Sequence, residues 1–125
     1  MIKNILLVGL GGGLGSMARY LCQRWFAENY FSSFPWGTFV VNLIGCFLIG
    51  IVYAVAEKTS LLSPQTRLFL ITGICGGFTT FSAFAFENMQ LLRSGDILYF
   101  ICYIAGSVVL GIAAVFSAIA VIKML

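Results

Sequence analysis

Gly73-Ile74-Cys75-Gly76-Gly77-Phe78-Thr79-Thr80-Phe81-Ser82-Ala83-Phe84 lies in the middle of a long apolar run. Three glycines, three hydroxyls and three phenylalanines stand where a lipid-spanning helix ordinarily carries Leu, Ile and Val. Glycine inside a helix costs about 1 kcal/mol relative to alanine, so three of them between Gly73 and Gly77 predict a break in the helix. In a bilayer, broken backbone is tolerated only where it is buried in protein or lines a polar cavity. The stretch is therefore a candidate site. A plainer account has the glycines letting two helices approach closely and the hydroxyls bonding back to their own helix. On this stretch alone both accounts stand.

Outward from it, the chain is apolar throughout. Of its 125 residues 61% are hydrophobic and 9% charged, and the mean hydropathy is +1.05. Soluble domains carry about 25% charged residues, so the composition places this chain in a membrane. The formal charge of +3 comes from few, scattered groups. It is not the clustered basic face of a nucleic-acid binder. Cys22, Cys46, Cys75 and Cys102 fall one in each apolar segment, none in a Cys-x-x-Cys spacing, and histidine is absent. They read as small apolar packing residues rather than a zinc or redox site.

Four apolar segments are expected: Ile5 to Phe26, Trp36 to Ala56, Arg67 to Leu92 through the opening stretch, and Ile97 to Ile122. Each has the roughly 20 residues needed to cross a hydrocarbon core of about 30 Å. The connections, Ala27 to Pro35, Glu57 to Gln65 and Arg93 to Asp96, are too short for a soluble domain. Residues 1–125 are thus expected to form one four-helix membrane domain. Trp25, Tyr30, Trp36 and Tyr99 mark segment ends as an interfacial aromatic belt. Pro35 and Pro64 stand just before helices, where a missing N–H is harmless. The first segment reads as a retained helix, because only one early positive charge precedes it and no clear small-x-small cleavage site comes before the sequence turns amphipathic. Gly13-Leu14-Gly15-Ser16-Met17-Ala18 matches a dinucleotide fingerprint only formally, having no strand before it.

Loop charge sets orientation. One side carries Lys3, Lys58, Arg67 and Lys123; the other carries Arg24 and Arg93, with Arg19 deeper. So weak a bias fits a single orientation with a noisy signal, and it also fits a chain that inserts both ways. Gly9 and Gly13, Gly11 and Gly15, Gly73 and Gly77, and Ser107 and Gly111 each recur at a four-residue spacing. That spacing offers small faces for helix contact. A four-helix chain alone hardly encloses a polar path, so oligomerisation is expected to bury its polar groups.

The polar residues at membrane depth favour an anion. Asn42 lies about 9 Å into the second helix at 1.5 Å per residue, where its amide must find partners. It reads either as a donor to a passing anion or as an interhelical clamp. Phe81 and Phe84 share a helix face, and ring edges carry positive charge. Thr79, Thr80, Ser82 and Ser107 add hydroxyl donors. Arg19 either snorkels to the headgroups or draws anions toward a vestibule. Glu87 falls near the face of Phe84, although the polar residues after it also fit a helix end emerging into water. Unwound carbonyls in such a helix are able to hold a cation such as Na⁺.

Four motifs then carry a resemblance along essentially the whole chain. They are Gly11-Gly12-x-x-Gly15 with Arg19-Tyr20; Gly37-Thr38-Phe39 with Val41-Asn42-x-x-Gly45; Thr72-Gly73-x-Cys75-Gly76-Gly77-x-Thr79-Thr80-Phe81-Ser82-x-Phe84; and Gly106-Ser107. With these the chain resembles the Fluc (CrcB) family of fluoride channels. The resemblance implies an all-α membrane protein in which two antiparallel, dual-topology subunits form a homodimer with two fluoride pores. It implies passive export of cytoplasmic fluoride across a bacterial inner membrane. It places Phe81 and Phe84 as pore rings, Asn42 as the pore amide, and Ser107 at the start of a hydroxyl track with Tyr103 one turn before it. Thr80 and Ser82 belong to the same polar surroundings, with Arg19 near the vestibule and Glu87 beside the pore. It also implies a structural Na⁺ at the dimer centre, held by the Gly76 and Thr79 carbonyls. Ala83 and Gly111 depart from the family pattern, each lacking a hydroxyl many members carry.

Two other readings compete. A small multidrug transporter is also a short four-helix dimer, but it needs a membrane-embedded acid, and the first helix has none before Glu28. A non-transporting assembly subunit accounts for the small-residue faces but not for the donor-rich break. An enzyme is not expected, since no nucleophile–base pair or metal cluster is visible.

Overall fold

The computed structural model describes residues 1–125, and every regular element in it is helical. Helix α1 spans Ile2–Asn29 and α2 spans Trp36–Lys58. Helix α3, residues 64–78, is composite: an α-helical turn Pro64–Arg67, a π-helical run Leu68–Cys75, and a final turn Gly76–Phe78. Helix α4 is Phe81–Arg93 and α5 is Ile97–Met124. Counting α3 and α4 together, four stretches are long and apolar enough to cross a membrane. The 28 residues of α1 amount to about 42 Å at 1.5 Å per residue. That exceeds the hydrocarbon core and carries its polar last turns into the headgroup layer.

The ends follow from local chemistry. Ser63 caps α3, its hydroxyl accepting the Thr66 N–H at 3.1 Å, with Pro64 at the first helical position. Helix α4 closes with a Schellman motif, in which the Gly95 N–H bonds the Leu92 carbonyl and the Asp96 N–H bonds the Leu91 carbonyl. Gly95 takes φ +83 there, which suits a residue without Cβ.

Two pairings hold the bundle: α1 against α3, and α2 against α5. The first is a backbone-to-backbone contact. A Cβ built on Gly11 would stand 2.7 Å from the Phe69 carbonyl and 2.9 Å from the Gly73 Cα. One on Gly15 would collide with the Ile74 carbonyl, and one on Gly77 with the Gly12 carbonyl. The expected pairs Gly11/Gly15 and Gly73/Gly77 are thus the two halves of one interface. On the second pairing Gly50 sits against Ala118 and Val115. Gly9 and Gly13 meet nothing within 4 Å in this chain.

The break lies C-terminal to where the glycines place it. Gly76 is helical at φ −63, ψ −38. Thr79 and Thr80 are extended, at φ −84, ψ 158 and φ −151, ψ 115. The glycines permit close approach, and the two threonines carry the interruption. Only 15 of 125 residues are buried within the chain, so lipid or another protein surface must cover the apolar remainder.

Candidate functional site

A break at Thr79–Thr80 strands backbone groups that need partners. Asn42 on α2 supplies both for Thr80. Its side-chain carbonyl accepts the Thr80 N–H at 2.8 Å, and its amide donates to the Thr80 carbonyl at 3.1 Å. The amide thereby acts as a short piece of strand laid beside the extended residue. An Asn amide carries two N–H donors, and one of them remains after this pairing. Asn42 thus clamps α2 to the break, and one of its amide donors is left over.

The two threonines have separate tasks. The Thr79 hydroxyl bonds back to the Cys75 carbonyl at 2.9 Å, one turn earlier. The Thr80 hydroxyl caps α4, accepting the Ala83 N–H at 3.1 Å, and lies 3.2 Å from the Ser82 hydroxyl. Helix α4 thus begins at the break. Its N-terminus, the positive end of its dipole, favours negative charge there.

A cavity of about 300 Å³ opens beside this helix start, lined by Asn42, Cys46, Ile49, Thr79, Thr80, Phe81, Phe84, Ser107 and Val108. It gathers six of the residues singled out from sequence and contains no charged side chain. The Ser107 hydroxyl is buried and has no hydrogen-bond partner. The Phe81 and Phe84 rings lie with centroids 5.6 Å apart at 44°. Phe81 is 79% exposed in the single chain, an unusual setting for a large ring unless another surface covers it.

Phe84 continues into a polar string. Its ring packs edge-on against Tyr103 at 4.9 Å and 61°. Tyr103 is wholly buried, and its hydroxyl donates to one Glu87 carboxylate oxygen at 2.9 Å. Thr38, also buried, donates to the other at 2.8 Å, and the Gln23 amide donates to Thr38 at 3.0 Å. Four helices, α1, α2, α4 and α5, each contribute one residue. Glu87 is therefore held by two hydroxyls, not merely the solvated end of a helix. A second cavity of about 400 Å³, walled by Gln23, Phe26, Tyr30, Phe34, Trp36, Thr38 and Glu87 among others, opens from this string toward the loop before α2.

Ser82 and Arg19 stand outside the first cavity. Ser82 is exposed and reaches it only through Thr80. The Arg19 side chain donates to the Gly77 carbonyl at 3.1 Å. There it satisfies an end carbonyl of α3 and places a cation at that helix's negative end. Gln23 and Thr38 were not singled out as site residues. Two signals point to them: Gln23 lies four residues beyond Arg19 on the same face of α1, and Thr38 lies four before Asn42 on α2.

The expectation of a structural Na⁺ on the Gly76 and Thr79 carbonyls does not stand. No group of three or more His, Cys, Asp or Glu side chains that could hold a metal ion comes together anywhere in the chain. Gly76 is helical while Thr79 is extended, so their carbonyls belong to differently turned backbone. The Thr79 hydroxyl is engaged by Cys75. Hard cations gather about six oxygens, and nothing here completes such a shell. The chain therefore assembles no sodium or other metal-binding site.

The family model described as CrcB-like protein, Camphor Resistance (CrcB), matches residues 6–119. A protein of Leptospira interrogans named fluoride-specific ion channel FluC is 48% identical over 121 residues, covering 97% of this chain and 95% of the relative. Relatives of the same name from Chlorobium chlorochromatii and Flavobacterium psychrophilum are 52% identical over 116 residues and 47% over 122. They cover 93% and 98% of this chain, and 89% and 98% of themselves.

Proposed function

Because the chain belongs to the CrcB family, we propose that it is a fluoride-specific ion channel and that fluoride passes the neutral cavity at the start of α4. It is a multi-pass protein of the inner membrane and not an enzyme. The observation that carries the reading of the site is the convergence of Asn42, Thr79, Thr80, Phe81, Phe84 and Ser107 on one cavity without a charged side chain. Fluoride is small and holds its water tightly, so a pore must offer replacement donors at close range. It must also release the ion, which a fixed cation within the path would oppose. The second Asn42 N–H, the unpartnered Ser107 hydroxyl, the Phe81 and Phe84 ring edges and the helix start form a moderate, purely dipolar set. Arg19 is held aside on Gly77. A negative-inside potential then drives the anion outward by about 2.3 kcal/mol per charge per 100 mV.

The working unit in this reading is an antiparallel homodimer with two pores, each subunit being residues 1–125. Three features support it: the weak loop-charge bias, the 79% exposure of Phe81, and the open face at Gly9 and Gly13. Liposomes loaded with potassium fluoride and reconstituted with the purified protein test the function. A fluoride electrode should register rapid release when a potassium ionophore is added, and matched chloride-loaded vesicles should release little. Silence of the fluoride vesicles, with the dimer intact, would overturn the reading.

Asn42→Asp is expected to lower this flux by about tenfold or more, because a carboxylate cannot donate to the Thr80 carbonyl and leaves it unpaired. It also puts negative charge in the path of an anion. A parental rate in that variant would remove Asn42 from the pore.

A further inference from the structure

Glu87 is held by two hydroxyls, and the polarity of that arrangement is set one residue further away. We infer that Gln23 is a positioning residue for the fluoride path: its amide fixes the direction of the Thr38 hydroxyl proton, and so keeps two hydroxyl donors converging on the position that the Glu87 carboxylate occupies.

The polarity follows from donor and acceptor chemistry. An ionised carboxylate only accepts. The Thr38 oxygen lies 2.8 Å from one Glu87 oxygen, so the single Thr38 proton must point at Glu87. The Thr38 oxygen is then left as an acceptor, and Gln23, 3.0 Å away, must turn its N–H₂ rather than its carbonyl toward it. Thr38 is 1% exposed, so water does not take this place. Tyr103, fully buried, aims its proton at the other carboxylate oxygen at 2.9 Å. Glu87 thus occupies a position built for an anion, with one hydroxyl donor for each carboxylate oxygen.

Gln23 matters most when Glu87 moves. With Gln23 present, a displaced carboxylate leaves two donors still aimed at one point, which suits a dehydrated fluoride arriving past Phe84. Without it, the freed Thr38 oxygen seeks a donor elsewhere, and its proton is free to swing to a backbone carbonyl of its own helix. The residue touches neither Glu87 nor the ring pair in any hydrogen bond or ring contact of the structure. It acts through Thr38.

This inference rests on the proposed fluoride path, and the experiment separates the two. Full-length protein is reconstituted as parent, Gln23→Met, Gln23→Glu, Thr38→Val, Glu87→Gln, and the double variant Gln23→Met with Thr38→Val. Each is checked as a monodisperse dimer before fluoride efflux is read. Gln23→Met keeps length and volume but removes the donor; it is expected to slow efflux about fivefold, the worth of one neutral hydrogen bond. Adding it to Thr38→Val should cost nothing more, because the oxygen it serves is gone. Gln23→Glu keeps size and polarity but offers an acceptor, and it should slow efflux at least as much as Gln23→Met. It carries the test if Gln23→Met does not fold. Equal losses from Gln23→Met with and without the Thr38 hydroxyl would mean that Gln23 only packs, and would overturn the inference. So would a parental rate in Gln23→Met or Gln23→Glu while Thr38→Val and Glu87→Gln are slow. Parental rates in Thr38→Val and Glu87→Gln themselves would remove the string from the path and overturn the inference alone, whereas fluoride efflux absent from the parent would overturn the proposed function.

Discussion

Phe81→Ile combined with Phe84→Ile is expected to reduce fluoride efflux to the level of protein-free liposomes while the protein still elutes as the parent does. Isoleucine keeps much of the bulk and all of the apolar character of each ring, so the membrane fold has little reason to change. What disappears is the positive ring edge. An anion stripped of water and set against aliphatic carbon has no replacement for its lost hydration. A loss of about 100-fold corresponds to about 2.7 kcal/mol on the barrier, a modest demand for two rings that face a dehydrated ion. The two positions should not contribute equally. Phe84 also abuts Tyr103 at 4.9 Å, so its replacement loosens the hydroxyl that Glu87 holds. Phe81 is mostly exposed in one chain and has no such polar neighbour behind it. Phe84→Ile alone should therefore slow efflux more than Phe81→Ile alone. Efflux near the parental rate in the double variant would eliminate the rings as pore elements.

The spans were legible because hydropathy over about 20 residues is a local property, and the lengths needed are set by the bilayer. The observed helices overrun the expected limits by a few polar residues, since interfacial ends such as Glu28 and Lys58 still complete helical turns outside the hydrocarbon. The break was legible in kind but not in position. Glycine is ambiguous between conformational freedom and absence of bulk, and only the three-dimensional partner decides. Gly73 and Gly77 have partners at Gly11 and Gly12, so they are there for closeness. The interruption falls where Asn42, 38 positions away in the chain, satisfies both backbone groups of Thr80. No local pattern shows that pairing. The π-helical run before it leaves no mark in composition either.

Glu87 teaches the same lesson about sites. Followed by Asn88, Gln90 and Arg93, it looks like a helix emerging into water. Its setting depends on Thr38, 49 positions earlier in the chain, and on Tyr103, which the next helix brings back. The candidate donors, by contrast, were legible because polar groups at membrane depth are few, and each must be satisfied or functional. That argument names Asn42, Thr79, Thr80 and Ser107 without a structure. It does not tell which of them is engaged by backbone, as Thr79 is, and which is left open, as Ser107 is.

Gly15→Ala should be the most damaging methyl group the chain can receive, costing about 3 kcal/mol or more. The added Cβ would strike the Ile74 carbonyl and stand 2.8 Å from the Phe78 nitrogen and 3.1 Å from the Gly77 carbonyl carbon. All three atoms are backbone, so no side-chain rotation relieves the contact, and α1 must move bodily away from α3. The movement would be felt at the site. Gly77 is the residue whose carbonyl Arg19 holds at 3.1 Å, and Thr79 begins the break two residues later. Separating the helices therefore unseats the cation that closes α3 and lets the extended pair shift against Asn42. Gly9→Ala supplies the contrast, because its Cβ meets nothing within 4 Å and alanine favours helix. Thermal midpoints of both variants in detergent, read as the temperature at which the monodisperse peak is lost, should fall sharply for Gly15→Ala and hold or rise for Gly9→Ala. Equal midpoints would mean that α1 and α3 do not rest backbone on backbone. The three glycines of the Gly73–Gly77 run would then have to be explained by the break after all.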